Sequence, residues 1–275
     1  MSKTKYETRK NKCNIFLMSV STKNHKNLER WKESAEIHGF KPTILGLHEK
    51  KQYNDPIIGS AKFGMKLRYL IKYLIKTEPN DIILFTDAWD VIIIDDCEKI
   101  LKTYKSFKKD IVFGGEKGFC LPDFWNYFQY DFTKPFPFLN SGVIIGKAGT
   151  IKSLLEKYTE KNIEDSVDDQ VLWRKIYLEN KDKIAIDTKA KLILNTSLTS
   201  KNDYIFNNKN FTYKETDTQP SIIHAQGPEV LGFKNYLDLF RPVRNLNERS
   251  QTLLKVKYAS NLFTNSARAA ADAHL

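Results

Sequence analysis

A chain of 275 residues with 41% hydrophobic residues, 17 Phe and 13 Tyr can bury a sizeable core, which excludes disorder over most of its length. No apolar run approaches the roughly 20 residues that cross a bilayer, and three scattered cysteines without a CxxC pair exclude a cysteine-cluster zinc site. The net charge of +11 comes from lysine spread along the chain without a zinc-finger, RNP or helix-turn-helix signature. It therefore points away from specific nucleic-acid binding and toward attraction of anionic substrates such as nucleotides.

Residues 1–12 are polar and basic and are expected to be disordered. The apolar Ile15–Val20 stretch that follows is too short for a signal-peptide core, so secretion by that route is not expected. Cys13, Cys97 and Cys120 are expected as free thiols in a reducing compartment, which gives a cytoplasmic expectation with no membrane contact.

From Cys13 onward, apolar runs of strand type alternate with helical periodicity, the pattern of βαβ units around a mainly parallel sheet. Strands are predicted at Cys13–Ser19, Pro42–Leu47, Ile82–Phe85, Ile111–Phe113, Val143–Ile145, Ile184–Ile186, Lys191–Leu194 and Ser221–His224. Helices are predicted at Lys26–His38, Lys62–Lys76, Glu98–Phe107, Thr150–Lys161 and Asp169–Asn180. Residues 117–140 read as a loop-rich insertion crowded with aromatics, including Phe119, Phe124, Trp125, Tyr127, Phe128, Phe132 and Phe138. The predicted domain runs over residues 13–265, and the alanine-rich residues 266–275 stand apart as a tail of artificial character.

The most informative stretch is IILFTDAWDVIII, where an apolar strand ends in Asp87-Ala88-Trp89-Asp90. Ligands bind at the carboxyl ends of strands in open α/β sheets. Two carboxylates three apart across a turn can converge there on one hard divalent cation; two turn-forming aspartates are the plainer alternative. His224 closes another strand-like run before Gly227-Pro228 and offers an imidazole to the same ion. Asn140-Ser141-Gly142 precedes a third run, and Asp168-Asp169-Gln170 opens a helix, where simple capping is the alternative.

Taken in order, FTDAWDV, FLNSG, DDQ and HAQGP resemble the N-terminal glycosyltransferase domain of the procollagen lysyl hydroxylases and related collagen glycosyltransferases. Val20-Ser21-Thr22, Ser34-Ala35-Glu36, Gly64-Met65-Lys66-Leu67-Arg68 and Phe119-Cys120-Leu121-Pro122 extend the likeness from Asn14 to about Phe240. The resemblance implies a GT-A fold, a mainly parallel Rossmann-like sheet flanked by helices, with a UDP-sugar as donor and Mn²⁺ or Mg²⁺ as the ion. It places Asp87, Asp90 and His224 on the metal, Trp89 on uracil, Thr22 on the uridine, and Lys66 and the Gly227 backbone on the phosphates. Asp168 and Asp169 fall beside the transferred sugar with Asn140 nearby, and Glu116 matches an acidic residue one position out of register.

The implied activity is transfer of glucose or galactose from UDP-glucose or UDP-galactose to a hydroxyl acceptor on a collagen-like or other glycan. A UDP-sugar hydrolase and a non-catalytic sugar- or nucleic-acid-binding protein of the same fold stay open, as does a homo-oligomer. The family's Cys-Trp-Pro is Cys120-Leu121-Pro122 here, so an aromatic platform for the acceptor is lost and a galactosyl-hydroxylysine peptide is expected to be a poor acceptor. At this length, no hydroxylase domain is expected to follow.

Overall fold

The structure, a computed structural model, describes residues 14–48, 63–119, 124–159, 162–207 and 210–226. The strands are β1 (Ile15–Val20), β2 (Thr43–Leu45), β3 (Ile82–Thr86), β4 (Val91–Ile93), β5 (Ile111–Glu116), β6 (Phe138–Lys147), β7 (Ile184–Asp187), β8 (Ile193–Asn195), β9 (Tyr204–Asn207), β10 (Asn210–Tyr213) and β11 (Ile222–His224). The helices are α1 (Lys26–Ile37), α2 (Gly64–Leu74), α3 (Cys97–Ser106), α4 (Phe124–Tyr127), α5 (Ala148–Tyr158) and α6 (Asp169–Glu179).

The main sheet has the order β2-β1-β3-β6-β5-β7. Five strands share one direction, and β6 alone runs against its neighbours β3 and β5. Its central strands carry unbroken apolar stretches, residues 82–85 on β3, 111–113 on β5 and 143–145 on β6, because both faces are covered there. Along β3, Ile83 and Phe85 enter the core under α2, α5 and α6, while Leu84 enters the core under α1 and α3. On β5, Ile111 and Phe113 go one way and Val112 the other, as the period-2 geometry of a strand requires. Fully burying each such Leu, Ile or Phe contributes roughly 1.5–3 kcal/mol, so this two-sided packing holds β3 and β6 in register.

A second, three-stranded sheet, β4-β11-β8, stands at the C-terminal end of β3. There β11 runs antiparallel to β4, with His224 opposite Val91, and parallel to β8, with His224 opposite Asn195. This small sheet delivers His224 to the turn that leaves β3. β9 and β10 form a separate hairpin. No helix among the described residues is long and apolar enough to cross a membrane.

One expectation fails. Cys97, buried at the start of α3, is disulfide-bonded, and its partner lies outside the described residues. Wide spacing in sequence says nothing about distance in a sheet whose strands are threaded out of order. The thiol argument for a reducing compartment falls with it. Residues 1–12, Gly227, Leu121 and the tail at 266–275 also lie outside the described residues.

Candidate active site

The turn between β3 and β4 is built by its own hydrogen bonds. Trp31 Nε1 donates to Thr86 Oγ1 at 2.8 Å, and Thr86 Oγ1 donates to the Asp87 carbonyl at 3.0 Å. The Asp87 amide donates to the Gly142 carbonyl on β6 at 2.7 Å, and the Ala225 amide donates to the Asp90 carbonyl at 2.8 Å. The first bond fixes Asp87 against the main sheet and the second fixes Asp90 against the small one. His224 arrives between them on β11.

One ligand atom each from Asp87, Asp90 and His224 all lie within 4.8 Å of one another. His224 Nε2 stands 3.7 Å from Asp87 Oδ2 and 3.7 Å from Asp90 Oδ1. Ligands of an octahedral Mg²⁺, bound at 2.0–2.1 Å, stand roughly 3–4 Å apart, so the gap has the size of a small divalent cation. Nε2 is buried and makes no hydrogen bond, an unusual cost for an imidazole nitrogen. Burial works against a charged imidazole, but the carboxylates of Asp90 and Asp87 outweigh it, and Glu116 adds to them, so the His224 pKa is raised. The site thus demands positive charge, and its oxygen and imidazole donors suit Mn²⁺ or Mg²⁺.

Gly142 closes this gap from the β6 side. A Cβ there would fall 2.1 Å from His224 Cε1, 2.7 Å from Nε2 and 2.9 Å from Asp87 Oδ2, so only glycine leaves the pocket open.

Lys66, on the first turn of α2, reaches the other side of Asp87. Its ammonium lies 2.7 Å from Asp87 Oδ1 and 2.8 Å from Asp169 Oδ2. Burial disfavours the ammonium, yet Asp169 and Asp87 outweigh it and the Lys66 pKa is raised. At Asp169 burial prevails over Lys66 and lifts the carboxyl above its ordinary value. Asp168 does a different job: its Oδ1 accepts from the amides of Gln170 and Val171, capping α6.

Behind Lys66 and Asp169 lies a buried polar network centred on Glu116. Its carboxylate accepts from Asn140 Nδ2 at 3.0 Å, Gln170 Nε2 at 3.0 Å and Arg174 Nη2 at 3.2 Å. Burial raises the Glu116 pKa against the pull of Arg174 and Asn140. Asn140 Oδ1 accepts the Gly142 amide, and Gln170 Oε1 accepts the Ser141 amide. The Asn-Ser-Gly and Asp-Asp-Gln segments, distant in sequence, are therefore one bonded unit.

On the opposite side, Trp89 donates from Nε1 to Ser21 Oγ at 3.2 Å, next to half-buried Thr22. Its ring stacks on His25 with centroids 4.8 Å apart, and the Lys23 ammonium lies 4.8 Å from its centroid. His25 also caps α1, accepting the Asn27 amide at Nδ1.

The family model described as the PLOD GT domain matches residues 11–251. The chain belongs to this glycosyltransferase family. Among its relatives, the procollagen-lysine,2-oxoglutarate 5-dioxygenase of Drosophila melanogaster is 31% identical over 239 residues, covering 81% of this chain and 32% of that protein. The multifunctional procollagen lysine hydroxylase and glycosyltransferase LH3 of Rattus norvegicus is 29% identical over 240 residues, covering 83% of this chain and 31% of that protein. The chain thus spans about a third of the length of these relatives. The solved galactosyltransferase LgtC, in complex with donor and acceptor sugar analogues, is 10% identical at a TM-score of 0.47, covering 86% of this chain and 99% of that one. The mixed sheet, with one antiparallel strand among parallel ones and the Asp-x-x-Asp turn at the end of β3, is the GT-A architecture expected of a PLOD GT domain.

Of the residues singled out from the sequence of this PLOD GT domain, Asp87, Asp90 and His224 converge, and Lys66 joins Asp87 to Asp169. Asn140 lies in the Glu116 network, and Trp89 and Thr22 flank the other side. Gly227 lies outside the described residues. Sequence reasoning named Gly142 and Gln170 within their motifs without giving them a role, and it missed Arg174 and Asn195. Gln170 and Arg174 carried a signal, since they stand four apart on one face of α6 beside buried Trp173. Of the aromatics in the insertion, Phe119, Tyr127, Tyr130 and Phe138 pack on one another, and Phe128 and Phe132 lie against Tyr127 at the exposed rim of this cluster. The side chains of Phe124 and Trp125 lie outside the described residues.

Proposed function

We propose that this chain transfers glucose or galactose from a UDP-sugar to a hydroxyl group on a glycan acceptor, with Mn²⁺ or Mg²⁺ held by Asp87, Asp90 and His224. The observation that carries the reading is the buried, unsatisfied His224 Nε2 facing two carboxylates at 3.7 Å. Three such ligands leave coordination positions for a diphosphate. When bound, the cation supplies Lewis-acid stabilisation of the departing UDP anion.

The residues around the cation have separable tasks. Trp89 offers an aromatic face to the uracil, and Thr22 borders the uridine. The Lys66 ammonium, fixed by two carboxylates, adds preorganised positive charge where the leaving diphosphate gains negative charge. Asp169 sits across Lys66 from Asp87 and stabilises the sugar as it becomes oxocarbenium-like. Asp168 acts on the reaction by capping α6 and so aiming Asp169. Glu116, Gln170 and Arg174 hold Asn140 and the Gly142 peptide in place, so the wall of the cation site and the wall of the sugar site move as one body.

The test is thermal. The site is assembled from β3, β4, β6 and β11 and exists only in the folded chain, so UDP with Mn²⁺ raises the melting temperature. At ~100-fold excess over Kd the stabilisation is roughly 2.7 kcal/mol. UDP with a chelator gives a much smaller shift; equal shifts with and without metal contradict the assignment.

A further inference from the structure

The imidazole of His224 is held from behind by one side chain. His224 Nδ1 lies 2.7 Å from Asn195 Oδ1, and Asn195 Nδ2 donates to the Gly115 carbonyl at 2.7 Å. The second bond settles the orientation of the amide, because a backbone carbonyl only accepts and must face the NH₂ end. Oδ1 then faces the imidazole, and Oδ1 only accepts, so Nδ1 carries the hydrogen. In the neutral ring the remaining nitrogen, Nε2, is left with a bare lone pair. That nitrogen is the one with no hydrogen bond, 3.7 Å from each of Asp87 and Asp90.

From this chain of bonds we propose that Asn195 is a positioning residue that fixes His224 as its Nδ1–H tautomer and so presents Nε2 as a ready ligand for a divalent cation. The inference rests on the metal site proposed above and extends it to a residue that touches neither donor nor metal. Without Asn195 the two carboxylates favour the opposite tautomer, with Nε2–H donating toward them and closed to a metal. The fold is shaped for the contact. Asn195 and His224 are register partners on β8 and β11, and both are buried. The Thr196 amide donates to the His224 carbonyl at 2.9 Å. Gly114 makes room for the amide, since a Cβ there would fall 2.7 Å from Asn195 Nδ2. A partner of this kind on the far nitrogen of a metal-bound histidine is worth about 10- to 100-fold in metal affinity.

The experiment compares the wild-type chain with Asn195→Leu and Asn195→Asp. Mn²⁺ affinity is measured by the electron paramagnetic resonance of the free ion. The tautomer of His224 is read from imidazole ¹⁵N shifts of the metal-free protein, at a pH where the ring is neutral. The wild-type chain is expected to show Nδ1–H. Asn195→Leu is expected to lose about 10- to 100-fold in Mn²⁺ affinity and to show Nε2–H. Asn195→Asp gives up the bond to the Gly115 carbonyl but keeps an acceptor oxygen for Nδ1, and where it folds it is expected to retain both wild-type tautomer and Mn²⁺ binding, which a purely structural role for the amide does not predict. Should Asn195→Leu fail to fold, the wild-type tautomer and Asn195→Asp still decide the matter. An Nε2–H tautomer in the wild-type chain, wild-type Mn²⁺ affinity in a folded Asn195→Leu, or lost affinity in a folded Asn195→Asp overturns the proposal while leaving the metal site standing. No Mn²⁺ binding by the wild-type chain overturns both.

Discussion

Gly142→Ala adds one methyl group to the wall of the cation site and changes no charge. Carbon atoms in contact settle at about 3.5–4.0 Å, so a methyl 2.1 Å from His224 Cε1 lies roughly 1.4 Å inside that limit. The imidazole cannot retreat, because it is buried and bonded to Asn195. Overpacking of this kind costs about 1–3 kcal/mol, which at ~2–4 °C per kcal/mol for a chain of this size is a visible drop in the metal-free melting temperature. The sharper expectation concerns the metal. The methyl also falls 2.7 Å from Nε2 and 2.9 Å from Asp87 Oδ2, in the space a cation between those atoms needs. The added stability from UDP with Mn²⁺, roughly 2.7 kcal/mol at ~100-fold excess in the wild-type chain, should fall to near zero. Scanning calorimetry with Mn²⁺ or with chelator measures both effects. A folded Gly142→Ala that keeps the full Mn²⁺-dependent increment refutes the placement of the ion beside Gly142.

Three further outcomes are expected. Trp89→Ala should raise the donor KM with little change in kcat, because stacking on a base is worth ~1–3 kcal/mol and acts equally in ground and transition states; a fall in kcat alone contradicts the stacking role. Asp169→Asn should lower kcat by about 10²–10³ with Mn²⁺ affinity near that of the wild-type chain, because Asp169 meets Lys66 rather than the ion; loss of Mn²⁺ binding by calorimetry would move it into the metal shell. Acidification should weaken Mn²⁺ binding, since the ion needs Nε2 unprotonated and the metal-free His224 pKa is raised above the ordinary 6.5. In the metal-free protein that raised pKa contributes stability below the unfolded value, which is lost as pH rises through the folded one. Mn²⁺ affinity therefore climbs over the window in which this contribution disappears, and a pH-independent affinity across it contradicts His224 as a ligand.

Much of the frame was legible because residues 82–85 of β3 and 111–113 of β5 are short unbroken apolar runs, which a sheet covered on both faces requires. The direction of β6 was not, since Phe138–Lys147 looks the same whichever way it runs. β4 is not among the predicted strands, because three residues carry no period of their own. At the site, the Asp-x-x-Asp turn and His224 read as ligands of one ion, and the pairing of β11 with β4 is what brings them together. Asp168 and Asp169 are neighbours with opposite tasks, and only the phase of α6 decides which one caps and which one faces Lys66. Asn195, at the end of an apolar run before Thr196-Ser197, reads as turn chemistry, and its bond to His224 spans 29 residues. The disulfide at Cys97 was hidden for the same reason of distance.

The central claim is that the carboxylates of Asp87 and Asp90 and the imidazole of His224 hold a divalent cation against a UDP-sugar. The most direct measurement is release of UDP from a panel of UDP-sugars, with Mn²⁺ or chelator and with or without a glycan acceptor, by the wild-type chain and by Asp87→Asn, Asp90→Asn and His224→Ala. The wild-type chain should release UDP from UDP-glucose or UDP-galactose only with Mn²⁺ or Mg²⁺, faster with acceptor, and each variant should lose that activity. Release that is undiminished by chelator, or that survives in folded Asp87→Asn and His224→Ala, contradicts the account.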